Sequence, residues 1–387
     1  MALTLSLLCS LHLWPSSSRT APVVDMRHWR TGDDFVRTLV ADQVASAARE
    51  FGFFHVINHG IPTEEAESAD QAMHDFFALP SAAKEEILAD KKRALKTARG
   101  YAGLRDEQLD MSHSGRPDLK EVLDLGLPLG DSTQTYLGPN PWPKAMPQMQ
   151  NQTEPYLRSS LSVGRELLEV VARSIGLPEK VFEEVFDEPL VVQRLMRYPP
   201  RQQLSTVEFV NATQDEPREL GCGAHYDFGG LTLLRQTDAP GLQIQPPMQG
   251  CFDSECVAVD GGSYGTVHGT FYSDIRNSHA SEWMDVDVNP HSVVVTFGEA
   301  LQRLTNGKVQ ATRHRVVHDG STARHSMAVF VDPNPYREVT PMSELVETQP
   351  KYAPRIAGHK TVLLAATAAL RHQGGKSLPS YLGFGNF

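Results

Sequence analysis

The second half of the chain changes character at Leu190, and this change restricts the possible folds more than any other feature. From there on, short segments rich in β-branched residues are separated by Gly, Pro, Asn and Asp, namely LVVQRLMRYPP, LTLLRQTD, GLQIQ, SVVVTFG, ATRHRVVHD and RHSMAVFVDP. Short strands with turn residues between them are typical of an antiparallel sandwich or barrel. We therefore predict a mainly β fold, with helices flanking the β core.

The flanking helices are predicted from apolar residues that recur at helical spacing. Such patterns cover residues 34–52, 64–79, 81–97, 153–178 and, near the end of the chain, 359–373. Thr153 is the predicted N-cap of the long fourth helix, which Gly176 closes. The plan of the chain is thus helices first, a β core second and a helical tail.

This pattern divides the chain into four parts. They are an N-terminal extension at 1–21, a region of helices and strands at 22–188, a β domain at 189–358 and a C-terminal helix and tail at 359–387. A segment at about 246–282 is poor in strand pattern and rich in Gly, Ser and Asp, so we interpret it as an insertion in the β domain. It either covers the mouth of a site as a lid, forms an unstructured loop, or reflects an error in the gene model.

Composition narrows the classes of function. The formal net charge of -11 argues against a nucleic-acid-binding protein, which needs clustered Lys and Arg. No apolar run is long enough to span a bilayer. The four cysteines are too few for a disulfide scaffold, and Cys251 and Cys256 are interpreted as ordinary thiols. We expect a cytoplasmic monomer that takes a small-molecule substrate, although the apolar extension at 1–21 leaves organelle targeting open.

A histidine and an aspartate, His225 and Asp227, stand one residue apart beside the apolar run GGLTLL. Residues i and i+2 of a strand face the same side, so the pair can bind one metal ion. Two ligands bind a metal weakly, and His314, in a β-patterned segment, is the candidate third ligand. Its rivals are His318, predicted to be solvated beside the turn DGS, and His325, predicted to face away from its neighbours. Two histidines and one carboxylate leave three positions open on an octahedral metal, as in non-haem Fe(II) oxygenases.

A carboxylate site is predicted close to these histidines. Arg324 and Ser326 share one face of their strand, and a guanidinium beside a hydroxyl is suited to bind a carboxylate.

Two other polar stretches are predicted to be structural. Residues 58–60 read as a turn in which Gly60 supplies backbone freedom. A charged run is predicted to be a solvated edge beside a strand, with Asp118, Lys120, Glu121 and Asp124.

Short motifs occur in a recognisable order from Pro22 to about Gly358. They are PVVD, EFGFFHVINHGIP, FFALP, RGY, DLKEVLDLG, MRYPP, GAHYDFGGLTLLRQTDAPGLQIQ, FGEALQRLTNGKVQATRHRVVHD and ARHSMAVFVDPNP. Together they strongly resemble the isopenicillin-N-synthase-like family of Fe(II)/2-oxoglutarate oxygenases. The resemblance is specific because many short blocks fall in the family's order. The interval between Asp227 and His314 is longer than expected for the family, and the surplus falls in the insertion.

The resemblance implies a fold and a set of site residues. The core would be a distorted double-stranded β-helix, or jelly roll, with an N-terminal helical region and a C-terminal helix. The family's metal triad maps onto three residues, His225, Asp227 and His314. Its R-x-S pair maps onto Arg324 and Ser326, which would bind 2-oxoglutarate. The tyrosine before its proline pair maps onto Tyr198, whose phenol in relatives reaches the 2-oxoglutarate carboxylate.

The resemblance also implies a reaction. The enzyme would use Fe(II), 2-oxoglutarate and O2, with ascorbate as an expected stimulant, and would release succinate and CO2. A small organic metabolite would undergo hydroxylation, desaturation or oxidative cyclisation. Two alternatives remain open from the sequence. One is an Fe(II) oxidase of the same fold that does not use 2-oxoglutarate, and the other is a non-catalytic metal-binding sensor.

Overall fold

The computed structural model describes residues 21–88, 99–107, 109, 117–127, 139–204, 220–247, 282–318 and 320–358. Several predictions lie outside these residues. They concern the N-terminal extension except its last residue, most of the insertion, the helical tail and the two cysteines at 251 and 256.

Short strands and helices alternate in the first half of the chain. In chain order they are β1 (Val23–Asp25), α1 (Met26–Thr31), α2 (Asp34–Glu50), β2 (Phe53–Ile57), α3 (Thr63–Ala78), α4 (Ser81–Glu85), β3 (Gly100–Ala102), β4 (Glu121–Gly126) and α5 (Met149–Ser174). The side chain of Asp33 caps α2 by accepting a hydrogen bond from the Val36 amide. Gly52, with φ of 77°, follows α2 in the left-handed region that glycine adopts readily.

Two helix boundaries differ from the sequence prediction. Helix α5 begins at Met149, four residues before the predicted N-cap. Thr153 is a buried residue inside this helix, and its hydroxyl donates to the Met149 carbonyl at 2.9 Å rather than capping free amides. The helix predicted over 81–97 ends at Glu85 in the described part, where a turn follows.

The second half is built from strands. They are β5 (Leu190–Tyr198), β6 (Leu220–His225), β7 (Leu231–Gln236), β8 (Leu242–Gln245), β9 (Met284–Asp285), β10 (Val293–Phe297), β11 (Arg313–Val317), β12 (Arg324–Asp332), β13 (Glu338–Val339) and β14 (Arg355–Ile356), with the short helix α6 (Glu299–Leu304) after β10.

Two sheets hold twelve of the fourteen described strands, and β13 pairs with β14 in a separate two-stranded sheet. The larger has eight strands in the order β1-β2-β10-β7-β12-β5-β4-β3, and the smaller has four in the order β6-β11-β8-β9. From β5 to β12 the chain passes repeatedly between the two sheets, which is the topology of a double-stranded β-helix. The predicted mainly β fold with a jelly-roll core and flanking helices is therefore confirmed for the described residues.

The large sheet separates two apolar layers. On one side it packs against α2, α3 and α5, and Val329 of β12 belongs to this layer. On the other side it meets the small sheet, where Ala328 of β12 packs near Cys222 of β6 and Val316 of β11. Because successive strand residues face opposite sides, Arg324 and Ser326 point between the sheets and His325 points towards the helices.

None of the helices that the structure describes combines the length and the apolar composition needed to cross a bilayer.

Candidate metal centre and carboxylate site

The three predicted metal ligands meet at one end of the small sheet. His225 is the last residue of β6, and its Cα is paired with that of His314 on β11. Oδ1 of Asp227 lies 3.7 Å from Nε2 of each histidine. Metal–ligand bonds of about 2.1 Å can join ligand atoms up to about 4.2 Å apart. Each histidine nitrogen can therefore share an ion with Oδ1 of Asp227. One ligand atom from each of the three residues lies within 4.8 Å of the others, which fits a metal held by two imidazoles and one carboxylate.

An irregularity in strand pairing brings the two imidazoles together. The pairing of β11 with β6 shifts between His314, opposite His225, and Val316, opposite Cys222. Such a bulge bends the strand and redirects side chains near it. The imidazole rings end with their centroids 4.3 Å apart.

Backbone carbonyls determine which ring nitrogen faces the centre. Nδ1 of His225 lies 2.8 Å from the Gly223 carbonyl oxygen, and Nδ1 of His314 lies 3.0 Å from that of Thr312. A carbonyl only accepts hydrogen bonds, so each Nδ1 carries the proton and each Nε2 keeps its lone pair towards Asp227. Burial lowers the pKa of both histidines, which favours the neutral form that binds metals.

Thr232 orients the carboxylate of Asp227 through a hydrogen bond on the side away from the histidines. The sequence did not predict this role of Thr232. The Thr232 hydroxyl donates to Oδ2 at 2.5 Å, which leaves Oδ1 towards the histidines. The backbone carbonyl of Asp227 accepts from the Glu299 amide at 2.9 Å. A Cβ at Gly298 would lie 2.2 Å from the Gly229 carbonyl oxygen, so only glycine permits this close approach of the two turns.

The predicted carboxylate site centres on Arg324, whose side chain is fully buried. One guanidinium nitrogen donates to the Ser326 hydroxyl at 3.1 Å and another to Oε1 of Gln236 at 3.2 Å, while Nε has no partner among the residues that the structure describes. Burial lowers the pKa of Arg324, and Asp238 offsets this only in part, since no carboxylate of the described residues lies within ion-pair distance. A buried cation without an anionic partner fits the carboxylate of a bound molecule. Gln236 was not foreseen from the sequence.

Tyr198 lies beside this arginine. The two Cα atoms are paired across β5 and β12, and the guanidinium carbon of Arg324 sits 4.9 Å from the centre of the tyrosine ring. The phenol donates to the sulfur of Met196 at 3.6 Å, and burial raises its pKa to about 12. A Cβ at Gly221 would lie 2.6 Å from the ring, so a glycine is needed opposite it. The ring thus supports the guanidinium by a cation–π contact.

The charged run that was predicted to be solvated is buried, and that prediction was wrong. Its four residues, Asp118, Lys120, Glu121 and Asp124, are each less than a tenth exposed. The Lys120 ammonium lies 2.9 Å from Asp118 and 3.3 Å from Glu107, and Arg194 lies 2.7 Å from Asp124. Charges can be buried when they are paired in this way, and partners distant in sequence are not visible in a local pattern.

This buried charged network reaches the strand that carries His225. Oδ1 of Asp118 accepts from the Gly223 amide at 2.9 Å, and Lys120 donates to the sulfur of Cys222 at 3.3 Å. Burial raises the pKa of the Cys222 thiol to about 12, so the thiol stays protonated. For Lys120, burial alone would lower the pKa, but the carboxylates of Glu107 and Asp118 raise it well above its ordinary value.

The two rival histidines lie outside the triad. His318 was predicted to be solvated but is buried, with its ring centroid 6.3 Å from that of Tyr198, so that prediction was wrong. His325 faces the helical side of the large sheet, and its Nδ1 lies 2.8 Å from Oδ2 of Asp238.

Two family models match the chain. The model described as non-haem dioxygenase in morphine synthesis N-terminal matches residues 21–145. The model described as 2OG-Fe(II) oxygenase superfamily matches residues 263–333. The second match includes His314, Arg324 and Ser326, whereas His225 and Asp227 lie between the two matched segments.

Curated relatives match over most of their length. The chain is 30% identical over 309 residues to the UPF0676 protein C1494.01 of Schizosaccharomyces pombe, covering 79% of this chain and 82% of that protein. It is 27% identical over 344 residues to the 2-oxoglutarate-Fe(II) type oxidoreductase hxnY of Emericella nidulans, covering 86% of each. It is also 27% identical over 313 residues to the 2-oxoglutarate-dependent dioxygenase caaD of Aspergillus niger, covering 80% of this chain and 83% of that protein.

Solved structures share the fold at lower identity. A full-length Neurospora crassa protein, solved in complex with alpha-KG, superimposes with a TM-score of 0.71 at 21% identity, covering 92% of this chain and 98% of that one. JOX2 in complex with 2OG, Fe and JA superimposes with a TM-score of 0.65 at 23% identity, covering 96% of this chain and 94% of that one.

Proposed function

Because the chain belongs to the 2OG-Fe(II) oxygenase superfamily, we propose that it oxidises a small organic metabolite at an Fe(II) centre held by His225, Asp227 and His314. The protein is an oxidoreductase of the 2-oxoglutarate-dependent dioxygenase class and uses Fe(II) and 2-oxoglutarate. One observation carries the assignment of residues: Oδ1 of Asp227 lies at equal distances of 3.7 Å from Nε2 of the two histidines.

Arg324 and Ser326 are the proposed partners of the distal carboxylate of 2-oxoglutarate. Their side chains point between the two sheets, the same space into which the small sheet directs Val316 and its neighbours. The Arg324 guanidinium, braced by Gln236 and the Tyr198 ring, would orient that carboxylate with little loss of side-chain freedom.

When bound, Fe(II) together with 2-oxoglutarate supplies the activation of O2 and the oxidation of a C–H bond, with succinate and CO2 as products. The protein orients the metal ligands and excludes water from the site. The carbonyls of Gly223 and Thr312 hold the two imidazoles with Nε2 inward, and Thr232 holds the Asp227 carboxylate. The buried surroundings of these residues exclude bulk water from the reacting groups.

The substrate class is proposed from chemistry and from relatives. The Neurospora crassa protein has also been solved with thymine, and JOX2 has been solved with JA. These are small organic molecules, and we propose one for this enzyme too, with hydroxylation, desaturation or oxidative cyclisation as the outcome. O2 is the proposed oxidant and ascorbate a proposed stimulant.

The test is formation of succinate from 2-oxoglutarate in the presence of Fe(II) and O2, measured across a panel of small metabolites. We expect a slow background without substrate and a several-fold increase with a substrate. The His225→Ala variant, with its folding checked by circular dichroism, should lose both. A matched control is His291→Ala, at an exposed histidine in a turn.

Two outcomes would contradict the proposal. Oxidation of a metabolite with Fe(II) but without consumption of 2-oxoglutarate would identify an Fe(II) oxidase instead. Retention of iron with no turnover of 2-oxoglutarate or of any metabolite in the panel would indicate a metal-binding sensor.

A further inference from the structure

A second group of two imidazoles and one carboxylate lies on the opposite side of the large sheet from the iron triad. His325 of β12 meets His74 of α3, and the ring centroids are 4.1 Å apart. Asp238, which follows β7, completes the group. Its Oδ2 lies 2.8 Å from Nδ1 of His325, and its Oδ1 accepts from the His325 amide at 2.9 Å. One potential ligand atom from each residue lies within 4.8 Å of the others.

We propose that His74, Asp238 and His325 bind a divalent transition-metal ion of the zinc class, at a site separate from the Fe(II) centre. Imidazole nitrogen with one carboxylate oxygen is a ligand set that Zn²⁺, Co²⁺ and Ni²⁺ accept, whereas Mg²⁺ and Ca²⁺ prefer oxygen alone. Three protein ligands leave a fourth position for water. Nothing in the proposed oxygenase chemistry uses these three residues.

Closing the site requires only small movements. Ligand atoms on one ion are at most about 4.2 Å apart for bonds of about 2.1 Å, so a spread of up to 4.8 Å must shrink by about 0.6 Å. Asp238 is exposed and His74 is half-buried, so both can adjust, whereas His325 is buried in β12 and gives the site a fixed point. The exposed side of Asp238 provides an entry path for the ion.

A further carboxylate lies near this group. Asp70 lies one turn before His74 on α3 and interacts electrostatically with both His74 and Asp238. Its Oδ2 is 2.7 Å from Arg235, while its buried Oδ1 has no hydrogen-bond partner within the described part of the chain. An ion at the site would interact favourably with this carboxylate. Burial and the neighbouring His325 also lower the pKa of His74, so its imidazole is neutral and ready to bind.

The ion would join three elements of the fold. His74 belongs to a helix, Asp238 to the connection after β7, and His325 to the strand that also carries Arg324 and Ser326. Because binding requires the folded arrangement, the ion should stabilise the native protein.

The test uses the full chain with the iron triad disabled by the paired changes His225→Ala and Asp227→Ala. Zn²⁺ retained after equilibrium dialysis is counted by elemental analysis, and Co²⁺ absorption reports nitrogen ligands. We expect about one Zn²⁺ per chain, and a rise in melting temperature when Zn²⁺ is added. Adding His74→Gln or Asp238→Asn to this background should weaken Zn²⁺ binding at least tenfold. His291→Gln, at an exposed histidine, should leave binding unchanged.

Two results would overturn the proposal. One is a triad-disabled protein that retains no Zn²⁺ at about 10 µM free ion. The other is Zn²⁺ binding that His74→Gln and Asp238→Asn both leave intact. Because both positions are at least partly exposed, both variants should fold. Circular dichroism of each variant then distinguishes a loss of Zn²⁺ binding from a loss of fold.

Discussion

The two carboxylate oxygens of Asp227 have different roles. Oδ2 accepts the hydroxyl of Thr232, and Oδ1 faces the two imidazoles. Arg324 shows the same principle, because Ser326 and Gln236 hold two of its nitrogens, and no other described residue bonds its Nε. At the scale of single residues, the site is therefore a set of side chains fixed by neighbours that do not touch the reacting groups.

Thr232→Val should weaken Fe(II) binding by about 10- to 100-fold, because the isosteric change removes the hydroxyl that orients Asp227. The measurement is a titration of the apoprotein with Fe(II) under anaerobic conditions. Thr296→Val, on the strand position paired with Thr232, is the matched control and should bind iron normally. Equal affinity in both variants would show that the hydroxyl does not orient the ligand.

Arg324→Lys should raise the KM for 2-oxoglutarate at least tenfold while iron content stays unchanged. An ammonium keeps the charge but cannot donate to Ser326 and Gln236 and bind a carboxylate through two parallel bonds at once. The measurement is succinate formation against 2-oxoglutarate concentration, with iron counted separately. An unaltered KM would place the carboxylate elsewhere.

The sequence predicts those parts of the site in which the residues are close together along the chain. The alternation of Arg324 with Ser326 follows from the strand period, as expected. Asp227 lies two residues beyond the end of β6, so the structure brings it to His225 without the strand geometry that the sequence argument assumed. Thr232 and Gln236 were missed because a neutral side chain on a strand carries no distinctive pattern. Asp118 and Lys120 were placed in solvent because their partners, Glu107 and Cys222, are not visible in a local window.

At the scale of elements, the buried charged network joins β4, β5 and β6. Arg194 of β5 pairs with Asp124 of β4 and with Glu107, and Lys120 connects Glu107 to Asp118. Asp118 then holds the Gly223 amide of β6. Paired charges thus fix the positions of three strands relative to one another, because leaving a buried charge unpaired would cost much stability. This network lies close to the end of β6, where His225 is located.

Glu107→Gln should make stability less dependent on pH in acid. Burial alone would raise the pKa of Glu107, but Arg194 and Lys120 lower it from 4.5 to about 2. A pKa lower in the folded state contributes stability that is complete above about pH 4.5 and is lost as the pH falls from about 4.5 towards 2. The advantage of the native protein over the variant should be up to about 3 kcal/mol at about pH 7.

The measurement for Glu107→Gln is urea unfolding at several pH values between about 7 and 3. The native protein and the variant should converge as the pH falls. Glu347→Gln, at an exposed glutamate, is the control and should follow the native curve. A constant difference between native protein and Glu107→Gln across this range would contradict the assigned charge pairs.

At the scale of the whole molecule, the jelly roll brings together strands that are distant in sequence. Strand β11 lies between β6 and β8, so that His314 is the neighbour of His225, and β12 lies between β7 and β5, so that Arg324 is opposite Tyr198. The short β segments predicted the class of fold well, since turn residues and β-branched runs are local signals. The start of α5 was predicted less well, because packing rather than the Thr153 hydroxyl determines where that helix begins.

Anaerobic addition of Fe(II) and 2-oxoglutarate should raise the melting temperature by a few °C. A ligand at about 100 times its Kd stabilises the native state by about 2.7 kcal/mol, and the proposed ligands contact both sheets. Differential scanning calorimetry measures the shift. His225→Ala should show little of it, and an equal rise in that variant would mean that the stabilisation does not come from the triad.

The repeated passage of the chain between the two sheets has a consequence for biosynthesis. A ribosome releases His225 and Asp227 well before His314, and Arg324 after all three. A nascent polypeptide therefore has no complete set of iron ligands until β11 has joined β6, and no partner for the co-substrate carboxylate until β12 has been added. Binding of 2-oxoglutarate beside the iron would then report that β12 is in place, and a translation product interrupted before β11 would carry no complete set of iron ligands into the cell.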